Sequence, residues 1–408
     1  MNSRKFFTNI FKGIAGLALI FSASPGYADE HQVAQILKQL QVHGFLSQGY
    51  VKTTGNNFFG HSNNSGSFDF REIGLTASLR PLPRLQLSGQ LLHRRAGEGS
   101  DGGIRIDFGF LDYNFMNTPA VEFGVRLGRM KHPLGFYNDT RDVPFTRPSI
   151  LLPQSIYFDR TRNLALASDG ALLYGESRTD WGNIAIQAGA AFPQVGDKDT
   201  ETSIFGNTVP VRGDLKSRLS YLGRITYERP DGRLRLAVSS TQLNVGYSPG
   251  QNDIFESGSF RFSPLILSAQ YNAERWSVTS EYALRYSRHH GFGNSGLDRS
   301  STGESFYLQG IYRLFPGWEA VLRYDWLFAN RKDRNGKKFA AASGYPAHSQ
   351  YAKDLTIGLR WNITPSIMLS TEYHRVNGTA WLSPLDNPDI NDTKKNWNLF
   401  AAQISYRF

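Results

Sequence analysis

The last ten residues, Leu399-Phe400-Ala401-Ala402-Gln403-Ile404-Ser405-Tyr406-Arg407-Phe408, decide how the rest of the chain is read. Phe400, Ala402, Ile404, Tyr406 and Phe408 fall on one side of an extended segment; Leu399, Ala401, Gln403, Ser405 and Arg407 fall on the other. A period of two belongs to a strand whose faces meet different surroundings. Working back, Leu355, Ile357, Leu359 and Trp361 alternate with Thr356, Gly358, Arg360 and Asn362. Trp318, Ala320, Leu322, Tyr324, Trp326 and Phe328 alternate with Glu319, Val321, Arg323 and Asp325, and Trp276, Val278, Tyr282, Leu284 and Tyr286 with Ser277, Thr279, Glu281 and Arg285.

A soluble sandwich alternates too, because one face of each sheet meets its core. Here the apolar face ends in aromatics, as in Trp276 and Tyr286 or Trp318 and Phe328, with smaller aliphatics between. That matches two aromatic girdles around an apolar band. Sixteen such segments run from 42 to 408, joined by short Pro-, Gly-, Asn- or Asp-bearing turns (Pro81-Leu82-Pro83, Asn117-Thr118-Pro119, Pro230-Asp231-Gly232) that alternate with long polar loops. The expected fold is all-β: a closed antiparallel transmembrane barrel of about sixteen strands, with short periplasmic turns and long extracellular loops.

Composition narrows the classes. The 408 residues hold no cysteine, which removes disulfide scaffolds, thiolate metal sites and cysteine nucleophiles. No apolar run approaches the roughly 18 to 20 residues of a membrane helix. Arg4, Lys5 and Lys12 precede the apolar run Gly13 to Ala23 and the small residues ending at Ala28, the order of a secretory signal. Residues 1–28 are therefore expected to be cleaved. Residues 29–41 are expected to form a short periplasmic segment, helical from the Val33, Ile36, Leu37, Leu40 stripe, and 42–408 to form the barrel.

Two stretches resemble known sequences. The terminal Ser405-Tyr406-Arg407-Phe408 is similar to the C-terminal strand read by the bacterial barrel-assembly machinery, with Tyr406 and Phe408 as the assembly signal. Gly128-Arg129-Met130-Lys131-His132-Pro133-Leu134-Gly135-Phe136 resembles the "G-R-x-K-x-P-x-G" stretch of porins of the phosphate-selective O/P type and related trimeric porins. The resemblance implies a homotrimer in the outer membrane of a Gram-negative bacterium, in contact with outer-membrane lipid and lipopolysaccharide, through which small hydrophilic solutes diffuse passively.

A sixteen-strand barrel is too wide for wall side chains to fill, so an aqueous lumen is expected. By parity its wall carries Arg94, Arg105, Arg126, Arg224, Arg285, Arg323 and Arg360, and eleven inward arginines outnumber eight inward carboxylates over the strands. Rings of Arg favour anions, so a mild anion preference is expected. The longest connection, 131–168, holds Pro133, Pro144, Pro148 and Pro153 and much apolar surface that must pack on something. Folded inside the barrel it would be the constriction, with Lys131, Arg141, Arg147, Arg160 and Arg162 against Asp139, Asp142 and Asp159. Arg141, Arg147, Arg160 and Arg162 are the expected permeant-facing groups, their bland role being salt bridges to the wall.

Other patterns carry less. Gly291 to Gly296 spells G-x-G-x-x-G and Gly246 to Gly250 spells G-x-S-x-G, but neither opens a helix. Asp386, Asp389, Asn391 and Asp392 lack the spacing of a calcium loop, and the nine histidines form no ligand pair, so neither metal nor cofactor is expected. Basic residues are spread through the strands, which argues against a nucleic-acid partner. No enzyme is expected. The alternatives are a barrel phospholipase or protease, for which His93 and His374 are the strand histidines available, and a receptor or adhesin with a plugged channel.

Overall fold

A computed structural model describes residues 39–206, 210–293 and 296–408. Among these, sixteen strands close into one antiparallel barrel. They are β1 (Gln41–Thr53), β2 (Ser67–Leu82), β3 (Leu85–Ala96), β4 (Asp101–Asn117), β5 (Val121–Lys131), β6 (Ala167–Thr179), β7 (Gly182–Pro193) and β8 (Asp214–Glu228), followed by β9 (Leu234–Ser248), β10 (Gly258–Asn272), β11 (Trp276–His290), β12 (Arg299–Phe315), β13 (Trp318–Phe328), β14 (Tyr351–Asn362), β15 (Ile367–Gly378) and β16 (Asn396–Arg407). Each strand pairs with its sequence neighbours, and β1 pairs with β16 from Phe45↔Arg407 to Thr53↔Leu399. Phe408 extends this seam: its N–H donates to the Gly44 carbonyl at 3.1 Å and its carbonyl accepts from the Gly44 N–H at 3.2 Å. The expected cleavage at 28, and nearly all of the expected helix, lie outside the described residues.

Closure leaves no open edge, and the alternation then sorts the side chains inside out. Ile357 is 58% exposed while its neighbour Thr356 is fully buried; Leu322 is 57% exposed beside a fully buried Arg323. A soluble protein has no use for an apolar outer wall over a charged interior, whereas hydrocarbon outside demands it. Aromatics ring the turn end of the wall, where Trp318 and Trp361 stack at 4.9 Å and Tyr271 lies against Trp276 at 5.5 Å. At the loop end Phe306, Trp326 and Phe328 form a second contact chain.

The seven expected tight turns all fall at one end of the barrel. The other end departs from the expected pattern once, because β3 and β4 are joined by only four residues, 97–100. Gly97, at φ +65, makes that sharp return possible, and Asp386 from the last loop presses on it so closely that a Cβ there would lie 2.5 Å from the carboxylate. Long-loop residues at that end gather in two apolar clusters. Phe58 and Phe59 meet Trp381 and Trp397 in one, and Phe205, Tyr247, Phe255 and Phe292 meet in the other. Phe205 ends a helix, α2 (Lys198–Phe205), after a shorter one, α1 (Arg162–Leu166); Asp197 caps α2 by accepting from the Thr200 N–H at 2.9 Å.

Candidate functional site: the loop inside the barrel

The connection from β5 to β6 leaves the rim and runs through the interior. Its apolar residues find there the burial they need. Leu134 and Ile156 pack on Ile266 and Ala283, Leu152 and Tyr157 on Tyr307, and Ile150 and Leu151 join the cluster of Val376 and Ala401.

Three inward glutamates on widely spaced strands hold it. Glu72 of β2 accepts from Arg147 Nη2 at 2.7 Å and Nη1 at 3.2 Å. Glu281 of β11 accepts from the Phe136 N–H at 2.9 Å and the Tyr157 hydroxyl at 2.6 Å, and also from Ser268 and Tyr307 of the wall. Glu372 of β15 accepts the backbone N–H groups of Ile150 and Leu151. A backbone that leaves its sheet must satisfy its polar groups elsewhere, and these carboxylates do so.

Wall arginines complete the attachment. Arg323 donates to the Ser149 hydroxyl at 2.9 Å and the Leu151 carbonyl at 3.1 Å, and Arg360 to the carbonyls of Arg147 and Phe145. Arg224 pairs with Asp139 at 2.5 Å and donates to the Gly135 carbonyl. Arg285 lies over the Phe158 ring, Arg105 donates to Asn163, and Arg94 pairs with Asp159 at 2.7 Å and with Glu72 at 3.4 Å. Arg126 is apart from the loop, paired to Asp112 at 2.8 Å and stacked over Tyr174.

The eight expected constriction residues do not form a single ring. Lys131 and Arg162 converge on Asp142, and Lys131 also reaches Asp107 at 2.6 Å. Arg141 donates to the Tyr157 carbonyl at 2.8 Å and lies 3.8 Å from Asp159. Arg147 is on Glu72, Asp139 on Arg224, and Arg160 donates to the Ala380 carbonyl at 2.9 Å. Arg141, Arg147 and Arg162 are each buried in these contacts; Arg147 ties the loop to the wall through Glu72, whereas Arg141 and Arg162 brace the loop on itself. Around the first group Arg94, Arg105, Lys131, Arg141, Arg147 and Arg162 meet Glu72, Asp107, Asp142, Asp159 and Asp197, so cations outnumber carboxylates locally by one.

The G-R-x-K stretch gains a physical account. Gly128 sits at φ +129, and a Cβ there would stand 2.4 Å from the Gly109 carbonyl of β4. Gly135 sits at φ +57, where a Cβ would stand 2.1 Å from the Tyr157 hydroxyl oxygen. Lys131 carries the ion pairs just described. The glutamate anchors are the residues that sequence reasoning missed as site groups. Their inward parity was legible, but their partners lie 75 to 222 positions away.

His93 and His374, the histidines named for the enzyme alternative, differ. His93 faces outward on β3, whereas His374 is buried inside, with Nδ1 2.7 Å from Asp354 and 3.0 Å from the Thr356 hydroxyl and Nε2 3.1 Å from Glu372. Both ring nitrogens of His374 are thus held by carboxylates within a fully buried cluster. Outside the strands, burial and the nearby Asp197 push the Asp199 carboxyl of α2 up to about 8, and burial raises that of Asp386. Asp386 accepts from the Glu98 N–H at 3.0 Å and so ties the last loop to the β3–β4 turn.

No family model and no curated protein matches this sequence. Solved structures do. The anion-selective porin from Comamonas acidovorans is 12% identical at TM-score 0.54, covering 90% of this chain and 99% of that one. OmpT, an outer membrane protein of Vibrio cholerae in its trimer form, is 12% identical at TM-score 0.54 with the same coverage. The outer membrane channel DcaP of Acinetobacter baumannii is 13% identical at TM-score 0.52, covering 90% and 97%. The fold is that of a porin-type barrel.

Proposed function

We propose that this chain is a bacterial outer-membrane porin, through which small hydrophilic solutes diffuse with a mild preference for anions, working as a homotrimer after removal of residues 1–28. The observation that carries the reading is the inside-out wall crossed by an internal loop: apolar side chains outward, charged ones inward, and a folded segment narrowing the interior. A sixteen-strand barrel is wide enough for an aqueous path beside such a segment.

The anion preference rests on the local excess of cations where the loop meets β3, β4 and β5. Trimer assembly rests on likeness to proteins of that form. Tyr406 and Phe408, at the closing seam, are the proposed assembly signal. The phosphate-selective subtype remains a proposal carried by the Gly128 to Phe136 stretch alone.

The test is conductance of the purified protein in a planar bilayer with a salt gradient. Ohmic channels with a reversal potential of anionic sign are expected. Absence of channels sinks the porin reading, and cationic reversal sinks the preference alone.

A further inference from the structure

Above the apolar band, one sector of the outer wall carries a row of arginines in register. Arg218 of β8 pairs across to Asn244 of β9, Asn244 to Arg261 of β10, and Arg261 to Arg288 of β11. Arg261 and Arg288 alternate with inward neighbours, and Arg218, beside a register shift in β8, lies opposite Asn244; all three are exposed. Their guanidinium groups are placed. Gly246 of β9 leaves room for that of Arg218, since a Cβ there would stand 2.5 Å from Arg218 Nε, and Arg261 Nε donates to the Asn244 side chain at 3.2 Å. Two cationic forks thus close on β9 from both sides, with the third directly beside Arg261.

Like charges directly opposite on neighbouring strands are destabilising. Elsewhere on the outer wall some basic residues meet acids, Arg95 with Asp69 at 2.6 Å and Arg129 with Asp169 at 2.7 Å, while Arg71, opposite Arg95, donates to the Gln48 side chain. Among the described residues, no carboxylate forms an ion pair with Arg218, Arg261 or Arg288. The nearest outward pairs, Lys216 with Asp214 and His290 with Asp298, lie further toward the loop end. Tyr286 stands two residues before Arg288 on the same face, with Leu284, Tyr282, Val278 and Trp276 behind it. From Trp276 to Tyr286 the tilted strand covers about 25 Å, the height of an outward apolar band. The row therefore stands where acyl chains end and headgroups begin.

We propose that Arg218, Arg261 and Arg288 form a binding site for the phosphate of a membrane lipid headgroup in the outer leaflet, the lipid's acyl chains lying on Leu265, Leu284 and Tyr286. Guanidinium forks match phosphate oxygens in geometry and charge. A lipid is the source because the row is exposed on the outer wall and continues along β10 and β11 into its apolar face. The proposal rests on the membrane placement argued above.

The test uses the full chain in neutral detergent, doped with phosphatidic acid or with phosphatidylcholine, and measures lipid retained through gel filtration. Wild type should retain phosphatidic acid at least fivefold better than the variant Arg218→Gln/Arg261→Gln/Arg288→Gln, and better than it retains phosphatidylcholine. Arg95→Gln should behave as wild type. Equal retention by wild type and the triple variant overturns the proposal, as does equal retention of phosphatidylcholine. Displacement by equimolar inorganic phosphate, which would mark a free-anion site, overturns it too, and so does a changed oligomeric mass of the triple variant, which would mark an interface between copies. Channel conductance of the triple variant reports its folding. Loss of the lipid effect with intact conductance removes this site and leaves the porin reading standing.

Discussion

The Tyr157 hydroxyl donates to Glu281 at 2.6 Å, joining positions 124 apart in sequence and both buried. Around that carboxylate gather the Tyr307 and Ser268 hydroxyls and the Phe136 N–H, so a single wall residue fixes two points of the internal loop.

Glu281→Gln should loosen the loop without opening the barrel. An amide offers one acceptor oxygen to the four donors and turns its own N–H group toward them, so at least one buried donor loses its partner. That costs about 1–3 kcal/mol. Hydrogen exchange over 133–158 should rise while the β spectrum is unchanged, and single-channel current should become noisier. Unaltered exchange in that segment defeats the latch.

The two glycines of the G-R-x-K stretch should fail differently. Gly135→Ala pushes on the Tyr157 hydroxyl and should reproduce the Glu281→Gln phenotype. Gly128→Ala meets backbone of β4 at a positive φ, a strain of order 1–3 kcal/mol or more, and should lower the yield of folded barrel. Refolding yield and channel noise, measured on both, separate the effects.

Arg147 and Glu72 form a buried pair, and removing one partner leaves the other charge buried. Arg147→Ala should cost about 3–5 kcal/mol and Glu72→Ala a similar amount, the double variant less than their sum. Arg94, which also reaches Glu72, should keep the coupling below that of an isolated pair. Denaturant unfolding of the four proteins checks this, and strict additivity contradicts it.

Stability near the mouth should fall as pH rises. The Asp199 carboxyl is held up to about 8 by burial, against about 3.9 when unfolded. Between those values the unfolded chain binds fewer protons than the native one. Stability is therefore fullest below about pH 4 and declines progressively until pH passes about 8. Hydrogen exchange in α2 should accelerate from pH 5 to pH 9 beyond the intrinsic pH effect, and Asp199→Asn should abolish the excess. An equal acceleration in that variant would point to another group.

The fold was legible because a strand's two faces are written into adjacent residues. Ile357 beside Thr356 and Leu322 beside Arg323 announce their faces without any knowledge of the partner strands. Turn chemistry is equally local, so the strand count came with it. The four-residue β3–β4 turn was not legible, because what makes it stable is Asp386, nearly 290 positions away.

The candidate site divides along the same line. Residue order alone shows that 131–168 is too apolar to lie in water, that its cations exceed its acids, and which wall residues face inward. The folded chain was needed to reveal that Glu72, Glu281 and Glu372 are its anchors, that Arg147 ties it to the wall while Arg141 and Arg162 brace it on itself, and that Arg218, Arg261 and Arg288 stand in one row. Periodicity assigns a side chain to a face, but register around a closed barrel and the path of a loop across it set which distant residues meet on that face.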